Sequence, residues 1–333
     1  LYPIDCEKGE GIELAERYNV RGYPTFKMVN GRGEEIERWI GYDGPDVWSA
    51  SVLAGVNDPR TLLTKEEAYG IQPTGALARS LGNAAATEYD WKGAVDFFTV
   101  ARDLDAANKD EYEQAIITYT FYGTFGDEPA YGIDELEAVA KPVFGQPDQE
   151  PMAKLEMASM ITTVARNNDQ PERAVPYLKD AMAVSEGTTD EELLASRERL
   201  AVDHALLVER DAAKAVELKK ASLPEGWQES PKQLNRFAWW CFENKVNLEE
   251  GETMALKGLE LAESDEQRAR ILDTAAELCN ALGNCEEAVA RIKQAVELDP
   301  DNDHYKDQLA KFEQALQEKK GSVSYTHLTL PTM

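Results

Sequence analysis

The chain has 333 residues, a net charge of −27 and an isoelectric point near 4.5, with length enough for two or more cores. The acidic charge is spread evenly, −5 over residues 1–58 and −22 over the rest, so no basic patch exists to attract nucleic acid or anionic lipid. No run of eighteen apolar residues occurs, which excludes a membrane-spanning helix and leads to the expectation of a soluble protein of open compartment.

From the first residue, the pattern predicts a short strand over Leu1 to Ile4 and an amphipathic helix over Ile12 to Tyr18. A strand over Thr25 to Val29, an Asn30-Gly31 turn and a strand over Glu35 to Ile40 follow, and these three read as a hairpin. A helix over Pro45 to Ala54 closes the segment. Between helix and hairpin stands Val20-Arg21-Gly22-Tyr23-Pro24-Thr25. A proline opening an alternating apolar strand has no N–H for the ladder and belongs at a strand start or tight turn. It also biases Tyr23 towards an extended backbone.

This order, with a valine three residues before Tyr-Pro-Thr, resembles the second half of a thioredoxin-like domain over roughly residues 1 to 57. The resemblance implies a cis Tyr23–Pro24 peptide facing a redox-active Cys-x-x-C. It further implies that Gly22, Tyr23, Pro24 and Thr25 line a groove offering backbone to an extended substrate. In such domains the Cys-x-x-C lies upstream of this proline, and none occurs in the 333 residues. The expectation is a chain truncated before its catalytic half, with no catalytic residue of its own; a naturally redox-dead domain is the alternative.

Residues 59–73 read as a linker, polar and proline-bounded, with no apolar periodicity beyond Leu62-Leu63. From about Leu77 to Leu316 the strand signal vanishes and small and apolar residues recur at helical spacing. The cleanest copy places Leu272, Ala275, Ala276 and Cys279 before Gly283, then Ala288, Ile292 and Ala295 before Pro300. Small residues at 276, 288 and 295 let two antiparallel helices approach, while Gly283-Asn284 turns the chain and Pro300 ends the second helix. A second copy runs from Leu81-Gly82 to Trp91, Ala94, Phe98 and Ala101. Partial copies surround Ala174, Ala215 and Gly251, and Tyr112 to Val143 has the spacing to supply one more. Loops are expected near Gly145 to Glu150, Glu186 to Asp190 and Leu223 to Ser230.

The pattern is similar to the tetratricopeptide repeat. That resemblance implies about six repeats over residues 74–318, forming an all-α, TPR-like solenoid that binds a protein partner or client. Residues 319–333 carry a string, Ser324-Tyr325-Thr326-His327-Leu328-Thr329-Leu330-Pro331-Thr332, that reads as a non-native, disordered tail.

Few other residues suggest chemistry. Cys6 stands among Asp5, Glu7 and Glu10, the wrong surroundings for a reactive thiolate, and reads as a packing residue. Cys241, Cys279 and Cys285 fall at repeat-packing positions, with a Cys279–Cys285 disulfide as the alternative. Asp299, Asp301 and Asp303 begin like a calcium loop, but His304 stands where glycine is required and Ala310 where glutamate is required, so they read as a turn. His204, His304 and His327 lie apart and at no metal-ligand spacing, and no metal or cofactor is expected. Trp239-Trp240 reads mainly as core, with one indole a candidate ligand contact.

Fold class is thus expected to be a partial α/β thioredoxin-like fold followed by a helical solenoid. Two functions stay open. One is part of a thioredoxin-family thiol-disulfide oxidoreductase whose cysteines lie upstream; the other is a non-catalytic adaptor that uses both parts for protein binding.

Overall fold

The structure, a computed structural model, describes residues 2–42, 44–145 and 150–326, with positions 46 and 321–326 described by their backbone alone. The chain divides into two compact units, Leu1–Ser196 and Arg197–Met333.

The first unit opens with helix α1 (Glu10–Arg17), strands β1 (Thr25–Val29) and β2 (Glu35–Ile40), and helix α2 (Pro45–Asn57). The strands pair antiparallel, Thr25 opposite Ile40 and Met28 opposite Glu37, with an irregularity between Met28 and Val29. Residues 2–4 form no strand: Tyr2 and Ile4 are exposed and no neighbouring strand pairs with them, which corrects the expectation for Leu1 to Ile4. Leu1 lies outside the described residues. One face of the hairpin is aromatic. Phe26 stacks on Trp39 at 5.3 Å and meets Trp48 of α2 edge-on at 6.3 Å, the offset and edge geometries that aromatic rings prefer.

Residues 62–71, expected to be linker, form helix α3 (Leu62–Ile71), begun by a Thr61 side chain that accepts from Thr64 N. Its Lys65 is fully buried, with Nζ 2.6 Å from Glu37 Oε1 and 2.9 Å from Ile36 O. Ser80, on helix α4 (Gly75–Thr87), donates to the same Glu37 oxygen. The α/β segment is therefore fastened to α3 and α4, and the chain divides inside a later helix instead of at residues 59–73.

Helices α5 (Trp91–Leu104), α6 (Lys109–Tyr122), α7 (Ile133–Gly145), α8 (Pro151–Asn167) and α9 (Val175–Val184) continue the unit. Asp90 caps α5 by accepting from Gly93 N. Ala78, Phe98, Ala101, Tyr112 and Ile116 make one buried cluster, where each large apolar side chain contributes about 1.5–3 kcal/mol. Residues 112–143 supply α6 and α7, the pair missing from the repeat spacing. Of the loop expected over 145–150, residues 146–149 lie outside the described residues.

Helix α10 (Glu191–Asp203) contains the boundary between the units and passes into a π-helical turn, His204–Glu209, closed by Arg210 at φ 56°. The second unit continues with α11 (Ala212–Ala221), α12 (Pro231–Asn244), α13 (Leu248–Leu261), α14 (Asp265–Ala281), α15 (Cys285–Leu298) and α16 (Asp303–Thr326). Ala276, Cys279, Ala288, Ile292 and Ala295 are all fully buried in the α14–α15 seam, and Gly283 turns the chain at φ 81°. The stretch 223–230 is only partly a loop, because a 3₁₀ turn at Trp227–Glu229 buries Trp227 against Phe237. The helical backbone of α16 persists to Thr326, beyond position 318 where the array was expected to stop. Residues 327–333, which include His327, lie outside the described residues.

The architecture is a small α/β region followed by a long series of packed helices. Among the described residues, α4 packs on α5, α6 on α7 and α8 on α9 in the first unit, and α12 packs on α13 and α14 on α15 in the second. No helix among the described residues is long and apolar enough to cross a membrane.

Candidate functional site

Gly22, Tyr23, Pro24 and Thr25 lie together at the entrance to β1. The Tyr23–Pro24 peptide is cis. Gly41 N donates to Pro24 O at 2.9 Å, and Thr25 Oγ1 donates to Gly22 O at 2.6 Å, which closes a tight turn on the end of the hairpin. Tyr23 projects outward, 65% exposed. Its hydroxyl is held above the ordinary tyrosine value, by desolvation first and then by the Cys6 thiol beside it.

Residues far along the chain fix this turn. Tyr89 Oη donates to Arg21 O at 2.8 Å, while the Arg21 guanidinium donates to Glu88 O at 2.9 Å. The Glu88 carboxylate accepts from Asn19 and, at 2.5 Å, from Arg38 of β2. Gly22 is required by this closeness: a Cβ there would stand 2.5 Å from Tyr89 Oη and 3.1 Å from Ile40 Cδ1. Glu88 and Tyr89 were not legible as site residues. They end one helix of a repeat-like pair, and nothing local joins them to position 21.

The thiols divide by burial. All four are free, so the Cys279–Cys285 alternative is not realised. Cys241 and Cys279 are fully buried, and burial pushes both up to about 12, helped at Cys241 by Glu250 and at Cys279 by its hydrogen bond to Glu252. Cys6 is half-exposed, with Sγ 3.8 Å from Ile4 O.

A concavity of about 580 Å³ lies within the second unit and is lined from α12, α14 and the start of α16. Lys232 and Arg236 reach it without an ion pair among the described residues, and Arg270 pairs with Glu266. Of the tryptophan pair, Trp239 lines the concavity, while Trp240 stacks on Phe237 at 6.1 Å. Asp273 sits at its floor, 8% exposed, with Oδ2 3.2 Å from His304 Nε2 and Oδ1 unpartnered. Burial raises the Asp273 carboxyl above its ordinary value, and His304 opposes the rise. Asn235 Oδ1 is likewise buried without a partner. The three aspartates of the suspected calcium loop form a helix connection, with Asp299 ending α15 and Asp303 beginning α16.

Among the described residues no group of three or more His, Cys, Asp or Glu is arranged to hold a metal ion. Compared with known protein families, the chain matches no family model, and compared with curated protein sequences it finds no match.

Proposed function

We propose that this chain is a protein-binding part of a thioredoxin-family thiol-disulfide oxidoreductase, with Gly22, Tyr23, Pro24 and Thr25 receiving an extended client and a TPR-like array holding a partner. The observation that carries the reading is the Tyr23 turn, exposed to solvent yet fixed from behind by Tyr89 and Glu88. A surface held rigid before its partner arrives loses less entropy on binding. Partner binding is assigned to the concavity of α12, α14 and α16. There Lys232 and Arg236, without ion pairs among the described residues, suit the carboxylates of an acidic peptide.

The adaptor reading stands second, favoured by the chemistry of this chain's own thiols. No Cys-x-x-C is present, and Cys241 and Cys279 are pushed up to about 12, far from the thiolate that exchange requires. Thiol chemistry at the Tyr23 turn would therefore draw on Cys6 beside it or on cysteines from outside these residues.

Reduced, carboxamidomethylated ribonuclease A, an extended chain with blocked thiols, tests the client-binding role by titration against the wild type and Tyr23→Ala. We expect saturable binding that weakens about tenfold on truncating the ring, the loss of a central aromatic contact. Equal binding by both proteins would overturn the assignment. An insulin-reduction assay tests whether this chain carries a redox thiol of its own. A rate equal to the blank fits both, whereas turnover abolished by Cys6→Ser would make Cys6 a redox thiol and exclude the adaptor.

A further inference from the structure

Ile40 and Gly41 belong to two places at once. At the Tyr23 turn, Gly41 N donates to Pro24 O, and Ile40 Cδ1 would stand 3.1 Å from a Cβ at Gly22. The same two residues line a cleft of about 400 Å³ within the first unit, between the end of β2, the start of α2 and helices α4 to α6. A second connection runs behind the turn. Tyr89, which donates to Arg21 O, stacks on Trp91 at 5.1 Å, and Trp91 stacks at 5.9 Å on Tyr119, a residue of the cleft wall. The cleft thus adjoins the turn on both the strand side and the helix side.

The lining decides which side chain such a cleft can take. Tyr42, Val47 and Trp48 come from the end of the hairpin and the start of α2, and Thr118 and Tyr119 from α6. Tyr42 is 57% and Val47 41% exposed, so apolar surface is open to an incoming group. Aromatic walls gain from offset or edge-on contact with a further ring, beyond the area buried. Arg79 and Glu111, the charged residues on the lining, meet each other at 2.7 Å, and Arg79 also donates to Ser51 Oγ at 3.3 Å. An acidic side chain would have to displace Glu111 from Arg79, and a basic one would meet a carboxylate already compensated. The side chain that fits is aromatic and uncharged.

We propose that this cleft is a specificity pocket of the client site, taking an uncharged aromatic side chain of an extended client whose backbone lies at Gly22 to Thr25. An extended chain advances about 3.3 Å per residue, so the ring belongs to a residue about two to four positions from the one on the turn. This specificity rests on the client-binding role assigned to the Tyr23 turn, and it makes a phenylalanine or similar residue the feature a client must carry.

Short acetylated and amidated peptides of Ser, Thr and Gly, identical but for Phe, Ala or Glu at the central position, test it by calorimetric titration against the whole chain. We expect the Phe peptide to bind about tenfold tighter than the Ala peptide, the gain of burying one aromatic side chain, and the Glu peptide to bind no tighter than the Ala peptide. Thr118→Phe, on the half-buried lining of α6, should abolish the preference for Phe. Tyr42→Ala, at an exposed position outside the helices, should reduce that preference about threefold, the worth of one aromatic pair. Tyr23→Ala should weaken the Phe peptide and leave its preference over Ala in place. Circular dichroism establishes that each variant is folded. No saturable binding of the Phe peptide, equal binding of the Phe and Ala or Phe and Glu peptides, or a full preference for Phe that survives either Thr118→Phe or Tyr42→Ala would overturn the pocket, and the ribonuclease A titration then judges the turn by itself. Phe-peptide binding indifferent to Tyr23→Ala would overturn the client site at the turn, and the pocket's part in it.

Discussion

Lys65 Nζ stands 2.6 Å from Glu37 Oε1 with both side chains almost entirely out of solvent, 1% and 2% exposed, and the pair fastens helix α3 to strand β2. Ile36 O and Ser80 Oγ take up further donor and acceptor capacity of the pair. Two charges are tolerable there because they meet each other and their remaining hydrogen bonds are made. Removing one leaves the other buried and uncompensated, at about 3–5 kcal/mol, whereas replacing both with apolar residues is often neutral or stabilising. Lys65→Met should therefore lower the urea midpoint sharply, and Lys65→Met with Glu37→Leu should recover most of it. A double variant as unstable as the single one would show that packing, and not charge compensation, sets the cost.

The turn before Pro24 makes a second coupling measurable. Gly22→Ala puts a methyl 2.5 Å from Tyr89 Oη, an overpacking that costs about 1–3 kcal/mol. Tyr89→Phe removes the obstructing oxygen and also the hydrogen bond to Arg21 O. The two substitutions together should destabilise less than the sum of each alone, by about 0.5–2 kcal/mol in a double-mutant cycle. Strict additivity would mean that the turn moves away from Tyr89 at no cost.

Thiol reactivity should follow burial. With Cys241 and Cys279 pushed up to about 12, roughly one thiol in ten thousand is ionised at pH 8. Iodoacetamide on the native protein should modify half-exposed Cys6 first and leave Cys241 and Cys279 until the protein is unfolded. Mass-mapped labelling over time checks this, and early modification of Cys241 or Cys279 would contradict it.

The order of elements was legible from the α1 segment to α2 and again from α14 to α15, because each carries its own punctuation: Asn30-Gly31, Pro45, Gly283, Pro300. Helix α3 was not. Its Leu63 and Ile71 are exposed while its Lys65 is buried, the reverse of an amphipathic pattern, and what buries Lys65 is a carboxylate twenty-eight positions upstream, beyond the reach of any helical period. The strand expected over Leu1 to Ile4 failed for the converse reason. A strand pattern specifies a face, but the strand forms only where another edge is present to pair with it. At the site, Tyr23 and Pro24 were readable from local turn chemistry. Glu88, Tyr89 and the His304–Asp273 contact depend on residues 31 to 68 positions apart meeting in space.

The Asp273 carboxyl gives a pH-dependent expectation. Its value in the folded state is raised above the ordinary 3.8 by burial, so the folded protein takes up its proton more readily than the unfolded chain. The stability it confers is full below the ordinary value and is lost as pH rises through the raised one. At pH 7, above the ordinary value, the half-satisfied carboxyl is a net cost. Asp273→Asn should raise the thermal midpoint at pH 7 and change it little near pH 3. A lower midpoint at pH 7 would show that the His304 contact outweighs the burial.

The client-binding role of the Tyr23 turn is tested most directly by replacing Tyr23 with the photoreactive p-benzoylphenylalanine and irradiating with reduced, carboxamidomethylated ribonuclease A. Tyr2, 85% exposed against 65% for Tyr23, is the control for mere accessibility. We expect cross-links to ribonuclease A from position 23 and few from position 2. Equal yields from the two positions, or none from position 23, would contradict a client site at Gly22 to Thr25.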